Sequence, residues 1–184
     1  MTVESARIEI ALKTKKGLSF ILASVILWIA ILVVWLLPIQ DVLTRNLLTF
    51  CVSTPLLPLA YMISKVIKAD FSLGDNPLSK LGFLFSLNQI LYILIEMWAY
   101  ASAPYSMVMI VAMVFGAHLF PFSWLYISRT YLVMSIIIPI ASLIIGCIIS
   151  REHTYYIPLF MAIIEIIFSC ILAFEVKRFN ELYK

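Results

Sequence analysis

Six apolar stretches of membrane-crossing length, most of them joined by only a few residues, leave this chain little choice of fold. The clearest runs from Leu18 to Leu37, 20 residues without a charge. At 1.5 Å per helical residue it crosses the roughly 30 Å hydrocarbon core of a bilayer. It is longer than the apolar part of a signal peptide, and no small-residue cleavage site follows it. Further runs lie at about 42–67, 81–101, 105–126, 130–150 and 155–175. Backbone N–H and C=O groups in lipid must be satisfied within the segment, and for runs of this length a helix does that. The expected fold is all-α: a polytopic membrane protein, a single membrane domain over residues 1–184 with six transmembrane helices.

Composition agrees. Hydrophobic residues make up 64% of the chain and charged residues 12%, against about 25% charged in soluble domains. The spans use nearly all the length, so no soluble catalytic domain fits. The net charge of +3 comes from residues flanking the spans. It forms no single patch, which excludes a nucleic-acid partner and leaves membrane lipids as the surroundings. With the N-terminus inside, Arg7, Lys13, Lys15, Lys16, Lys65, Lys68, Lys80, Arg129, Lys177, Arg178 and Lys184 are cytoplasmic, and only Arg45 and Arg151 are outside. Cytoplasmic loops are enriched in Lys and Arg, so the expected topology is N-in/C-in.

Local signals refine the spans. Pro55 and Pro58 each remove a backbone donor and predict a kink in the second span, with Ser53 and Thr54 as candidate partners for the freed carbonyls. Gly74-Asp75-Asn76-Pro77 reads as a helix start with Asn76 as N-cap. Ala112 with Gly116, and Ser142 with Gly146 and Ser150, are small residues at helical spacing, which allows close helix packing. Residues 1–17 are polar and read as a mixed segment or a short amphipathic helix. The tail from Val176 reads as polar. Cys51, Cys147 and Cys170 all lie in apolar runs without ligand spacing, which points to free thiols and to no metal site.

The polar residues inside the spans are the candidate site. Asn88, Tyr92 and Glu96 recur every four residues, and Gln89 precedes Glu96 by seven, so they are expected along one side of the third helix. Intramembrane acids usually face other helices or water. That stripe is either a hydrogen-bonding seam or a ligand-facing surface. His118 lies at a depth comparable to Asn88 and Gln89 across the short hairpin at Ala103-Pro104, so a contact between them is expected, with a structural or a proton-relay role. Glu165 sits in the middle of the sixth span. Ala162, Ser169 and Ala173 share its side, and the apolar spans offer it no cation. It is expected to face protein as a neutral acid, either as hydrogen-bonding glue or as a ligand or proton site.

No GxSxG, HExxH or P-loop occurs, so no catalytic residue, cofactor or reaction is indicated. A membrane-embedded enzyme stays open, with too few nucleophile-plus-base candidates to name a reaction, and two further function classes stand beside it. One is a protein that binds or transports a small molecule through Glu165, Glu96, His118, Asn88 and Gln89. The other is a non-catalytic interaction or regulatory membrane protein with a structural polar core. Either is compatible with a homo-oligomer.

Asn76-Pro77-Leu78-Ser79-Lys80-Leu81-Gly82, the run from Phe115-Gly116-Ala117-His118 to Trp124-Leu125-Tyr126, and Lys16-Gly17 resemble a family of small bacterial six-span membrane proteins of unknown function. The resemblance covers nearly the whole chain. It implies a multi-pass protein of the bacterial cytoplasmic membrane and no particular activity. In size and span number the chain is also similar to the substrate-binding subunits of vitamin importers, an analogy that carries no function.

Overall fold

A computed structural model describes residues 2–71 and 76–183. Nine α-helices occur among them: α1 (Val3–Lys13), α2 (Leu18–Leu36), α3 (Val42–Ser53), α4 (Leu56–Val66), α5 (Ser79–Ser102), α6 (Met107–His118), α7 (Phe120–Leu125), α8 (Arg129–Ile148) and α9 (Tyr156–Tyr183). They compose six helical units long and apolar enough to cross a membrane, bounded at Lys15–Leu36, Val42–Val66, Ser79–Ser102, Pro104–Leu125, Arg129–Ile148 and Arg151–Tyr183. Of the expected helix start, Gly74 and Asp75 lie outside the described residues, as does Lys184.

Two spans are broken where proline demands it. The second divides at Thr54-Pro55, between α3 and α4. The hydroxyls of Ser53 and Thr54 both donate to the Phe50 carbonyl, at 2.9 and 3.0 Å, and not to the carbonyls the prolines free. The fourth divides at Leu119, two residues before Pro121. Pro139 lies inside α8 without ending it. Helix α5 starts at Ser79, later than expected. Asn76 instead closes a turn ahead of it, its Oδ1 accepting from the Leu78 amide at 2.9 Å.

The core is built on α2 and α9, the first and last spans, with α8 against α9 and α6 against α8. Helix α2 contributes Ile21, Trp28 and Ile31, and α9 contributes Met161, Phe168 and Leu172, all at most 3% exposed. The small-residue pairs do what their spacing predicts. A Cβ on Gly116 would come within 2.6 Å of Ile138 and Pro139 on α8. One on Gly146 would come within 2.2 Å of Met109 Sδ on α6. Helix α5 is the outlier, packing on α6 and α7 and burying only Glu96 and Ala99.

Helix α1 is docked, not free. It buries Ala6, Ile10 and Ala11. Arg7 Nε donates to the Trp124 carbonyl at 2.9 Å, with its guanidinium 4.3 Å from the Trp124 ring centroid. Asn76 Nδ2 donates to the Ala6 carbonyl at 3.0 Å and to Glu9 Oε2 at 2.9 Å. Hydrogen bonds from Lys13 and from Asn76 hold the Glu9 carboxyl below its ordinary value. The polar tail is helical too. At 28 residues, α9 is about 42 Å long, so it outruns the roughly 30 Å hydrocarbon core.

Candidate functional site

Glu165 is the most deeply buried acid among the described residues, 0% exposed, on the α9 side that meets α2. Its contacts are few. Ser24 Oγ, on α2, lies 2.6 Å from Glu165 Oε2 and 2.7 Å from the Ile21 carbonyl. Glu165 Oε1 is buried with no hydrogen-bond partner among the described residues. A hydroxyl has one proton to donate, and a carbonyl oxygen only accepts. Both Ser24 contacts are hydrogen bonds at once when Glu165 carries a proton and donates it to Ser24, while Ser24 donates to Ile21. In that arrangement Oε1 is a lone carbonyl oxygen facing the bundle interior. The rest of the surface is close-packed: Met161, Ala162, Phe168 and Ser169 flank the residue on α9, each at most 7% exposed.

The remaining candidates lie on the α5–α6 hairpin and make no hydrogen bond to Glu165 or to one another. Glu96 is 7% exposed and turned toward the bundle, with no hydrogen bond to any described residue. Gln89 shares that inward side, and its Oε1 is buried without a partner. Asn88 does not share it. Consecutive residues of a helix point about 100° apart, and Asn88 is exposed, its Nδ2 donating to Tyr92 Oη at 2.7 Å. His118 is half-buried, and its Nδ1 donates to the Phe115 carbonyl at 2.6 Å. A neutral imidazole bonded this way keeps its lone pair on Nε2. No hydrogen bond joins His118 to Asn88 or Gln89 among the described residues: His118 and Asn88 each bond within their own helix.

A further cluster escaped sequence reading. Lys16, 1% exposed, is held at the α1–α2 junction with φ of 53°. Its Nζ donates to Glu175 Oε1 at 2.7 Å and to the Ile127 carbonyl at 2.9 Å, and lies 4.1 Å from the Phe179 ring centroid. Glu175 Oε2 accepts from Ser128 Oγ at 2.9 Å, from the Thr130 amide at 3.4 Å and from the Thr130 hydroxyl. Tyr131 Oη donates to the Lys16 carbonyl at 3.0 Å. Both charges are fully engaged, so this cluster is a clasp between α2, α8 and α9 with no vacancy for a ligand.

Pockets open on the surface of the described residues at two places of note. A groove of about 590 Å³ runs between α5 and Pro121, and a smaller polar pocket of about 240 Å³ lies beside Tyr105, Ser106 and Arg151. Neither reaches Glu165.

Fold and site together define an all-helical, multi-pass membrane protein with an acid buried between its first and last spans. Residues 3–175 match DUF7010, a family of unknown function, and the chain belongs to that family. No curated protein and no solved structure matches it.

Proposed function

We propose that this protein binds or transports a small molecule through a polar intramembrane site centred on Glu165. The observation that carries this reading is the unpartnered Glu165 Oε1, buried in mid-span beside Ser24. A buried polar atom without a partner is costly, and an ionisable group at such depth usually marks a pathway or a ligand. A proton exchanged at Glu165, or a cationic or hydrogen-bond-donating group meeting Oε1, would use that atom. Gln89, whose buried Oε1 has no partner, and Glu96, which bonds to no described residue, supply acceptors on the α5 side of the bundle. His118, with its free Nε2, supplies a further acceptor.

The test is a thermal-shift screen of small cations, amines and weak acids against purified protein, since binding to the native state raises Tm. A compound that raises Tm for the wild type and not for Glu165→Gln, with equal ligand-free Tm, supports the reading. Compounds that act equally on both, or none that act, count against it.

The second reading, a non-catalytic interaction or regulatory membrane protein, is favoured by one observation: α5 is almost uncovered, with 6% of its most apolar stretch buried.

A further inference from the structure

The least apolar of the six spans is also the least covered. Helix α5 has 6% of its most apolar stretch buried, against 56% for the first span, which is the most apolar. A helix left facing lipid should be the greasiest of a bundle, because lipid chains offer nothing to a polar group. The exposed side of α5 meets that demand from Phe83 to Trp98, except at Ser86, which bonds within its own helix, and at Asn88, so it is this amide that needs something other than lipid.

The exposed surface of α5 says what. Leu84, Asn88, Leu91, Ile95 and Trp98 are separated by four, three, four and three residues, the spacing of a helix–helix seam. All five are exposed, the four apolar ones at 59%, 61%, 46% and 60% in chain order. The inward side, carrying Gly82, Phe85, Gln89, Tyr92, Glu96 and Ala99, is distinct and already used. Asn88 lies nine residues into a 24-residue helix, about 14 Å from its start and near the middle of the hydrocarbon. One of its N–H groups is bonded to Tyr92 Oη. Its Oδ1 and second N–H meet no described residue.

We propose that this stripe is the seam of a parallel homodimer, in which α5 of one copy packs along α5 of a second. Copies of one chain enter a membrane in the same orientation. A two-fold axis along the membrane normal therefore sets every residue at the depth of its counterpart. Asn88 then meets Asn88. An amide carries both a donor and an acceptor, so it is complementary to itself, which fits a second copy without any further partner chemistry. One amide among apolar seam residues also fixes register and the number of strands. The groove beside Leu84, Leu87, Asn88, Leu91 and Pro121, about 590 Å³, receives the neighbouring side chains. This inference is independent of the Glu165 reading, since Glu165 faces α2 and α5 makes no part of that contact.

The experiment is a cysteine cross-linking scan of the full chain in membranes. Its background carries alanine at Cys51, Cys147 and Cys170, which are free and exposed. Single substitutions such as Leu84→Cys, Leu91→Cys and Ile95→Cys should give dimer on oxidation. Ser86→Cys, Ile93→Cys and Met97→Cys, also exposed but turned away from the stripe, should give little. In parallel, Asn88→Leu should lower the dimer fraction measured by single-molecule photobleaching, with a roughly three- to thirtyfold weaker association, while Asn88→Gln should keep it. Because Asn88 is exposed, Tm should stay near wild type and separate loss of pairing from loss of fold. The proposal is overturned by a monomer at all dilutions, by cross-links without the four–three period, or by adducts to a different protein. An Asn88→Leu dimer of full strength overturns the role of the amide.

Discussion

Lys16 Nζ and Glu175 Oε1 lie 2.7 Å apart although 159 residues separate them in the chain. The lysine is 1% exposed at its side chain and the carboxylate 23%. Removing one partner of a buried ion pair strands the other, at a cost of about 3–5 kcal/mol for full burial. Because Glu175 keeps some contact with water, Lys16→Met should cost about 3 kcal/mol, near the lower end. The paired change Lys16→Met with Glu175→Leu should recover a large part of that loss. Unfolding in mixed micelles, analysed as a double-mutant cycle, measures both. A double variant as unstable as the sum of the two singles would show that the pair is not coupled.

Gly116 sets the distance between α6 and α8. A methyl group there would lie 2.6 Å from Ile138 Cγ2 and Pro139 Cδ, neither at the free end of a flexible chain. Gly116→Ala should therefore destabilise by roughly 1–3 kcal/mol, the usual range for overpacking. Gly146→Ala meets the flexible thioether of Met109 and should cost less. Comparing the two Tm values checks the ranking, and equal losses would contradict it.

Asp41 caps α3, its carboxylate accepting from the Thr44 hydroxyl at 2.6 Å and the Thr44 amide at 2.9 Å. The Thr44 hydroxyl, then its amide, hold the Asp41 carboxyl below its ordinary value. A carboxyl lowered by folding adds stability above its unfolded pKa of about 3.9 and loses it as pH falls through the folded one. Acidification through that range should lower the Tm of the wild type more than that of Asp41→Asn, whose neutral amide still accepts. Parallel pH profiles for the two proteins would remove the cap from the account.

Asn76 ties the loop before α5 to α1 through Ala6 and Glu9. Asn76→Ala should loosen α1, raising hydrogen exchange across Val3–Lys13 while leaving α2 protected. Unchanged exchange there would mean that the buried Ala6, Ile10 and Ala11 and the Arg7–Trp124 contact hold the helix without Asn76.

Reporter fusions test orientation. Fusions at Lys184 and within residues 68–80 should both read cytoplasmic, as expected from the distribution of basic residues. An outside reading at either one would overturn the N-in/C-in assignment.

The spans were legible because each exceeds membrane thickness, and hydropathy is a local property. The break at Pro55 and close helix packing at Gly116 were legible for the same reason, since proline and glycine act where they stand, but α8 as the helix packed there was not. Asn88 and Gln89 were assigned to one helix side, but adjacent residues diverge by about 100°, and only packing decides which one turns inward. Lys16 and Glu175 were invisible as a pair. Each reads locally as a charge at a span end, and the fold that joins them depends on contacts across the whole chain. Lys16-Gly17 belongs to the stretches that carry the family resemblance. Both residues have a left-handed backbone, with Gly17 at φ of 69° and its missing Cβ giving room to Tyr126 and Tyr131.

The marriage of α2 to α9 has a consequence for how the molecule is made. Ser24 and Glu165 are 141 residues apart. At about 5–20 residues per second, roughly 7–28 s of synthesis pass between them. For that interval the face of α2 that Glu165 fills lacks its partner, although α3 and α4, the other neighbours of α2, are already made. Assembly thus closes like a ring, not layer by layer, and the last span to arrive is the one that brings the buried acid.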